Sequence, residues 1–187
     1  MTAGIVSYGA YVPMYRLSRA EIARVWGGGA GRGERAVANC DEDSLTMGVA
    51  AGVDCLRGIN KETIDGLYFA SQSATYQEKQ SASIIAAALD LRRDVFTADI
   101  SHSLRGGASA LRAAMDAVNA GAARNVLVIA SDCRIPPPNS AKELLLGDGA
   151  AALLIGSDGP LAAIENRFTI ASDFLDTWKR DRGDRYM

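Results

Sequence analysis

Apolar and polar residues alternate along this chain in short blocks, and the spacing within each block predicts either a strand or a helix. Short apolar runs rich in β-branched residues predict strands at 4–13, 66–71, 95–100, 126–131 and 150–157. Apolar residues at helical spacing predict helices at 43–56, 81–90 and 106–121. A short helix is expected after a proline-rich break, at 140–147, and a last strand at 161–172.

Local signals refine the first part of the chain. Ser18 is expected to cap a helix, with Glu21 three residues later at the spacing of a capping box. The glycine-rich run 27–36 predicts a loop. This loop is not expected to bind phosphate, because it contains neither G-x-G-x-x-G nor G-K-[ST].

The strands determine the predicted fold class. Several of them are apolar on both faces, which is typical of a sheet covered by helices on both sides. Together with the alternation of strands and helices, this predicts an α/β fold with a layered, largely parallel sheet. The 187 residues suit a single domain over 1–187, and the sequence contains no linker and no tandem repeat.

Composition and charge exclude several classes of protein. Hydrophobic residues make up 48% of the chain and charged residues 22%, which are ordinary globular values. The net charge is −2 without a Lys/Arg block, so neither nucleic acid nor a membrane surface is an expected partner. No apolar run is long enough to span a membrane, and the first residues do not form a secretory signal.

The cysteines and acidic residues suggest little chemistry of their own. Cys40, Cys55 and Cys133 are odd in number and lack C-x-x-C spacing, which favours a reducing, cytoplasmic location. All three are interpreted as inert thiols, although Cys133 could line a cavity. With one histidine in the chain, no metal site is expected. The acidic run 41–43 is interpreted as charge at a helix N-terminus.

The stretch 95–111, VFTADISHSLRGGASAL, has the form of a nucleophile turn between a strand and a helix. One hypothesis makes Ser103 the nucleophile and His102 its base. Sequence neighbours at a turn rarely point at each other, and no G-x-S-x-G surrounds this pair. The favoured interpretation is that His102 hydrogen-bonds locally.

The chain resembles the thiolase superfamily in an ordered set of segments that covers nearly all of it. The segments are GIVSYGAYVPMYRLSRAEI, GERAVANCDEDSLTM, LYFASQS, VFTADISHSLRGGASAL, VLVIASDCR and LLLGDGAAALLIG. They are most similar to the archaeal and bacterial 3-hydroxy-3-methylglutaryl-CoA synthases, and less so to the ketoacyl-acyl-carrier-protein synthase III enzymes. Single motifs such as GDGAA are weak, whereas the ordered set is specific.

The resemblance implies the family's fold, which is a duplicated βαβαβαββ unit in five layers, α-β-α-β-α. This chain would supply the N-terminal half, with the junction to the second half expected at 173–187. The second half is expected to be absent or to lie on another chain. A homodimer, or a hetero-oligomer with a thiolase-like chain, is the implied assembly.

The resemblance also implies which residues occupy the catalytic positions. The family's nucleophile turn has the pattern D-[IVL]-x-x-x-C-x-[AG]-G, which residues 99–107 fill with Leu104 at the cysteine position. The family's acid/base glutamate matches Gln72, which cannot exchange a proton at neutral pH. The family's catalytic histidine belongs to the second half, so His102 matches neither position. Ser103 would face the pocket only if the turn changed register.

Substrate-contacting positions are implied at the same turn and at the GDGAA motif. They are Arg105, Gly106, Gly107, Gly147 and Gly149. The glycines are interpreted first as architectural, because they allow tight turns and close backbone approach. No cofactor is implied, and a coenzyme A or acyl-carrier thioester is the expected substrate.

Three functional hypotheses follow from the resemblance. The first is an acyl-CoA acyltransferase or condensing protein of lipid or isoprenoid metabolism, whose chemistry is completed by another chain or by an altered nucleophile. The second is a non-catalytic subunit that pairs with an active homologue. The third is an acyl-CoA-binding module without turnover. The substitutions at Leu104 and Gln72 leave open whether the chain is itself an enzyme.

Overall fold

The computed structural model describes residues 2–29, 32–101 and 103–173. His102 lies outside these residues, and so does the predicted junction from 174 onward. The helices are α1 (Arg19–Trp26), α2 (Ser44–Cys55), α3 (Ser81–Ala88), α4 (Gly106–Asn119) and α5 (Ala141–Leu145). The strands are β1 (Gly4–Tyr11), β2 (Tyr15–Ser18), β3 (Glu34–Val37), β4 (Ile64–Ser71), β5 (Phe96–Ser101), β6 (Asn125–Asp132), β7 (Gly149–Gly156) and β8 (Ala162–Ala163).

Six strands form one sheet in the order β5-β4-β6-β7-β1-β8, and β2 and β3 form a separate hairpin. Helices α2 and α3 cover one face of the large sheet, and α4 covers the other. Without the hairpin, α1, α5 and β8, the order of elements is βαβαβαββ, which confirms the predicted thiolase-like unit. The described residues form three layers, α-β-α.

Each face of the sheet has its own hydrophobic core. On the first face, buried residues of α2 and α3 such as Met47 and Ile85 pack with Phe69 of β4. On the second face, Ala114 and Met115 of α4 pack with Val126 and Val128 of β6 and with their neighbours. Burial on both faces explains why β4 and β6 are continuous apolar runs.

The prediction of a largely parallel sheet is wrong. Strand β4 pairs in parallel with β5 and β6, but the pairs β6–β7, β7–β1 and β1–β8 are antiparallel. A parallel neighbour requires a crossover that packs on the sheet, whereas α5, between β6 and β7, packs against α1. Apolar runs report burial on both faces and carry no information about strand direction.

Two local predictions are also wrong. The predicted loop 27–36 extends into β3, whose Arg35 pairs with Leu17 of β2. The strand predicted at 161–172 is reduced to Ala162–Ala163, which pairs with Gly4 and Ile5. Beyond it, apolar side chains such as Phe168 are exposed, so their pattern does not reflect a buried face.

Of the two capping features predicted for α1, the structure confirms the Ser18 cap and not the capping box with Glu21. The Ser18 hydroxyl accepts a hydrogen bond from Ala20 N at 3.2 Å, which confirms the predicted cap of α1. Glu21, however, pairs with Arg24 Nε at 2.8 Å. The capping box occurs in α2 instead, where Asp43 and Thr46 bond reciprocally. Its carboxylate explains part of the acidic run 41–43.

Gly9 allows β1 to lie directly against α2. A Cβ atom at this position would lie 2.3 Å from Cys55 N and 2.5 Å from Ala51 O. Both atoms belong to the backbone and cannot move aside without shifting the helix. The glycine is therefore required by close packing of a strand on a helix.

Asp65, at the start of β4, joins three segments at the amino ends of the central strands. Its carboxylate accepts bonds from Arg92 Nη2 at 2.9 Å and from Arg124 Nη2 at 2.9 Å. It also accepts a bond from Arg124 N at 2.8 Å. These contacts, led by the Arg124 side chain, lower the pKa of Asp65 to about 2.

We expect the substitution Asp65→Asn to lower the free energy of unfolding at neutral pH by about 1–2 kcal/mol. The depressed pKa means that ionised Asp65 stabilises the fold at pH values above its ordinary pKa. This contribution is lost as the pH falls through about 2. Urea denaturation of both proteins at several pH values should therefore show a difference that shrinks with acidification.

The control is Glu21→Gln, which removes the exposed pair with Arg24. Its effect should stay below about 0.5 kcal/mol. A constant difference between Asp65→Asn and the wild-type chain from neutral to acidic pH would contradict the assigned role of Asp65.

Candidate active-site edge

The predicted catalytic positions meet at one edge of the sheet. Ser71, at the end of β4, is in register with Ser101 at the end of β5. Strand β6 runs parallel to β4 on its other side and ends at Asp132. Because parallel strands end at the same edge, the residues that follow β4 and β5 lie beside Asp132. We call this edge, residues 71–73, 103–107 and 132, the active-site edge.

Asp132 fixes the end of β4 through one carboxylate oxygen. Its Oδ1 accepts bonds from Gln72 N at 2.7 Å and from Ser73 N at 3.1 Å. The same oxygen accepts bonds from the hydroxyls of Ser71 and Ser73, at 3.2 and 3.0 Å. The Ser73 hydroxyl in turn accepts a bond from Cys133 N at 2.8 Å. The polypeptide after β4 is therefore tied to the end of β6.

The turn after β5 leads directly into α4. Gly106 N donates to Ser103 O at 2.8 Å, which closes the turn at the start of the helix. A Cβ atom at Gly106 would lie 3.0 Å from Ile100 O, so a larger residue would push α4 away from β5. The first turn of α4 therefore lies close to the sheet, at the active-site edge.

A side-chain hydrogen bond links the two segments that carry the predicted catalytic positions. Gln72 Nε2 donates to Ser103 O at 2.7 Å. The structure thus brings Gln72 next to the turn that contains Leu104. Leu104 is a large apolar residue, yet it is 61% exposed to solvent.

Ser103 and Arg105 make local contacts within this region. The Ser103 hydroxyl accepts a bond from Arg105 N at 3.2 Å, as a serine at a turn commonly does. The Arg105 guanidinium lies 3.4 Å from Ile170 O, which brings the segment after β8 to the start of α4. The hypothesis of a Ser–His pair stays untested, because His102 lies outside the described residues.

The GDGAA motif joins the same edge from the other side. Gly149 is in register with Asp132 across the β6–β7 pair. Asp148 N donates to Ala36 O at 3.1 Å, and Asp148 Oδ2 accepts from Ala38 N at 2.8 Å. Gly147 and Gly149 therefore flank a turn that attaches the hairpin to the sheet. This agrees with an architectural role for both glycines.

Two concave regions lie near these elements. A shallow depression of about 290 Å³ is lined by Ala130, Asp132, Gly149 and Ala151 with their neighbours. It lies next to α4, since a Cβ atom at Gly107 would be 3.6 Å from Ala130 Cβ. A cavity of about 160 Å³ lies between α1 and α5. Its lining includes Ile22, Trp26, Gly28, Asn139, Ser140 and Leu144.

The three cysteines differ in exposure, and none forms a disulfide. Cys40 is exposed and Cys55 is buried, and burial raises the pKa of the Cys55 thiol. Cys133 is half-buried beside Asp148. Burial, followed by the charge of that carboxylate, raises the pKa of the Cys133 thiol to about 11. A thiol in this state is a poor nucleophile, as the sequence predicted for Cys133.

Two broader features are absent from residues 2–29, 32–101 and 103–173. No group of three or more His, Cys, Asp or Glu side chains in this part of the chain has the arrangement of a metal site. Among these residues, moreover, no helix combines the length and apolar character needed to cross a membrane.

Sequence reasoning missed the roles of two aspartates, Asp132 at this edge and Asp99 in β5. Asp132 ends a predicted strand, and a carboxylate directly after a buried strand is a usable signal. Asp99 is the first residue of the turn pattern, which gives no hint of its contacts. Its two carboxylate oxygens accept bonds from Ser81 N and Ala82 N, both at 2.7 Å, and so cap α3 from the neighbouring strand.

The thiols provide a test of the electrostatics at this edge. We expect iodoacetamide at about pH 8 to alkylate exposed Cys40 first, because Cys133 is almost entirely protonated there. Raising the pH towards about 10 should accelerate the reaction of Cys133. Peptide mapping over time gives the three rates, and urea-denatured protein is the control in which they converge. Equal rates for Cys133 and Cys40 in the folded chain would contradict the assignment.

Proteins of known families are similar to this chain in sequence and in fold. A sequence profile of 3-oxoacyl-[acyl-carrier-protein] synthase III matches residues 98–174, which include the turn and α4. A hydroxymethylglutaryl-CoA synthase of Archaeoglobus fulgidus is 37% identical over 187 residues. That alignment includes 95% of this chain and 54% of the synthase. The chain therefore spans about half the length of the curated relatives it matches.

Solved structures show the same fold. A β-ketoacyl-[acyl carrier protein] synthase III from Thermus thermophilus superposes with a TM-score of 0.76 at 26% identity. The superposition covers 83% of this chain and 52% of that one. An HMG-CoA synthase complexed with CoA gives a TM-score of 0.90 and covers 100% of this chain and 50% of its own. At 22% identity, this second structure supports the fold alone.

The ordered motifs, the βαβαβαββ unit and the half-length matches all agree. The chain therefore has a thiolase-like fold and is similar to the N-terminal half of the 3-hydroxy-3-methylglutaryl-CoA synthases and ketoacyl synthase III enzymes.

Proposed function

We propose that this chain takes part in acyl transfer or condensation of acyl-CoA thioesters, and that another polypeptide supplies the reactive groups. The observation that carries the proposal is the position of Leu104. It lies in the turn before α4, where the family has its cysteine, and it cannot be acylated. Gln72, which occupies the position of the acid/base glutamate, contacts the same turn.

The expected reaction defines what is missing. A nucleophilic thiolate attacks the thioester carbonyl, a new thioester bond forms, and coenzyme A leaves as a thiolate that takes up a proton. Amide groups at the start of a helix stabilise the charge that develops on the carbonyl oxygen. This chain keeps the helix start at Gly106 and Gly107 but has no thiol at position 104. In the function that we propose, the thiol comes from another chain.

Exposed apolar side chains support a partner chain. Leu104, Phe168 and Ile170 are 61%, 87% and 67% exposed, and Ile170 O lies next to Arg105 at the start of α4. Apolar surface of this kind is typical of an interface. A homodimer or a hetero-oligomer with a thiolase-like chain, in the cytoplasm, is the assembly we propose.

The cavity between α1 and α5 is our proposed site for the nucleotide end of coenzyme A. Trp26 provides a half-exposed aromatic surface on which a base can stack. Two arginine side chains near α5 donate to carbonyl oxygens: Arg19 Nε to Leu144 O at 2.9 Å, and Arg35 Nη1 to Leu146 O at 3.0 Å. Because these acceptors carry no net charge, the arginine charges can attract phosphate groups.

The second candidate function is a non-catalytic subunit that binds an acyl-CoA, or that stabilises an active homologue, without turnover. The Gln72–Ser103 hydrogen bond favours it, because this bond occupies the side chain at the acid/base position. The two candidates differ in whether the assembled protein forms an acyl adduct.

The first test is formation of an acyl-enzyme. We expect the purified chain alone to show no mass increase after incubation with acetyl-CoA or longer acyl-CoAs. Together with the product of a neighbouring thiolase-like gene, an adduct should form on a cysteine of the partner. Intact-mass spectrometry detects the adduct, and peptide mapping locates it.

Each outcome of this test selects a function. An adduct on Ser103 would contradict our assignment of the turn as unreactive. The absence of an adduct in both samples would exclude covalent acyl transfer and favour the non-catalytic subunit. Partner protein with its nucleophilic cysteine replaced by alanine is the control for non-enzymatic acylation.

The second test concerns coenzyme A binding. We expect Trp26→Ala to weaken binding of acetyl-CoA about tenfold, because a stacked base contributes about 1–3 kcal/mol. Isothermal titration measures the dissociation constant. The matched control is Arg24→Ala on the same helix, whose guanidinium pairs with Glu21 and does not line the cavity. Equal affinities for the Trp26→Ala and wild-type chains would exclude this cavity as the nucleotide site.

A further inference from the structure

The side chain of Gln72 links the end of β4 to the turn after β5. Its Nε2 atom donates to Ser103 O, and the same carbonyl accepts the bond from Gly106 N that closes the turn. We propose that Gln72 is a positioning residue, whose amide group holds the turn that presents residue 104 at the start of α4. In this proposal, Gln72 positions the turn and does not transfer a proton.

The backbone of Gln72 is already fixed on the opposite side. Gln72 N donates to Asp132 Oδ1 at 2.7 Å, and Ser73 N donates to the same oxygen at 3.1 Å. The side chain of Gln72 therefore extends from an anchored backbone towards Ser103. Through it, the end of β6 is connected to the start of α4 by two hydrogen bonds in series.

The chemistry of the acceptor determines which residue fits at position 72. The Ser103 carbonyl can only accept, and a glutamine amide supplies two N–H donors. An ionised glutamate has acceptors only, so it would place oxygen against oxygen at this contact. A protonated glutamate can donate its hydroxyl instead. The hydrogen bond seen here is therefore available to glutamine, and to glutamate only in its neutral form.

This inference links two substitutions that the sequence shows as separate. Gln72 and Leu104 replace the family's two reactive residues, and the structure connects them through Ser103. Restoring a thiol at position 104 should therefore not require a glutamate at position 72, because Gln72 already holds the turn in this chain. The inference rests on the proposed function only in assigning position 104 to the nucleophile.

The test uses Leu104→Cys as a reporter of the turn. In the full chain, the rate at which iodoacetamide alkylates the introduced thiol is followed against pH, and peptide mapping separates it from the native cysteines. Amide groups at the start of a helix lower the pKa of a nearby thiol. Adding Gln72→Ala should release the turn and reduce the rate at about pH 7 roughly tenfold, which corresponds to one pKa unit.

The substitution Gln72→Glu in the Leu104→Cys background provides a second measurement, the pH dependence of the alkylation rate. A purely structural role of Gln72 would leave this pH dependence unchanged. A neutral glutamate can donate to the Ser103 carbonyl and an ionised one cannot, so the introduced side chain should hold the turn at acidic pH and release it as the carboxyl group ionises. The alkylation rate of the double variant should equal that of Leu104→Cys below about pH 5 and should be lower than that of Leu104→Cys above this pH. The Gln72→Ala variant should show no such recovery.

The matched control is Gln80→Glu in the Leu104→Cys background. Gln80 Nε2 also donates to a carbonyl of β5, Thr97 O at 3.0 Å, but it lies away from the turn. This substitution should leave the alkylation of the introduced thiol unchanged at every pH. In urea, all variants should react alike, which excludes a difference in intrinsic reactivity.

Two results would overturn the inference. One is identical pH profiles for Leu104→Cys with and without Gln72→Glu. The other is an equal loss of rate in the Gln80→Glu control. Because the reagent is iodoacetamide, these results do not depend on whether the protein binds acyl-CoA. Failure of the positioning role is therefore distinguishable from failure of the proposed function.

Discussion

The carboxylate of Asp132 is the interaction on which the arrangement of the active-site edge depends. Strands β4, β5 and β6 are parallel, so their ends meet, but parallel pairing does not determine the path of the polypeptide beyond them. One oxygen of Asp132 accepts four hydrogen bonds from residues 71–73 and so directs the segment after β4. Gln72 then reaches Ser103, and the turn leads into α4. Each step relies on the previous one.

The same edge brings together the two positions, 72 and 104, at which this chain departs from the pattern of the family that it resembles. Gly106 lets α4 lie close to β5, so the first turn of the helix reaches this edge. Position 104 carries an exposed leucine at that point.

The sequence predicts those features that arise from local patterns. Runs such as VLVIAS in β6, the cap at Ser18 and the helix after Gly106 depend on neighbours in sequence, and all were predicted from it. The antiparallel pairs were not predictable in this way, because strand direction depends on where a distant segment packs. The same is true of the contacts of Asp132 and Gln72, whose partners lie 60 and 31 residues away in sequence.

The position of β1 in the sheet has a consequence for the order of folding. Gly4 pairs with Gly156 on one side and with Ala163 on the other, so β1 lies between the last two of the described strands, β7 and β8. During synthesis, β1 has neither neighbour until the ribosome has passed these residues. Strands β4, β5 and β6 come from the contiguous stretch 64–132 and can pair earlier. Until β7 and β8 are available, the backbone N–H and C=O groups of β1 have no hydrogen-bonding partner in the sheet.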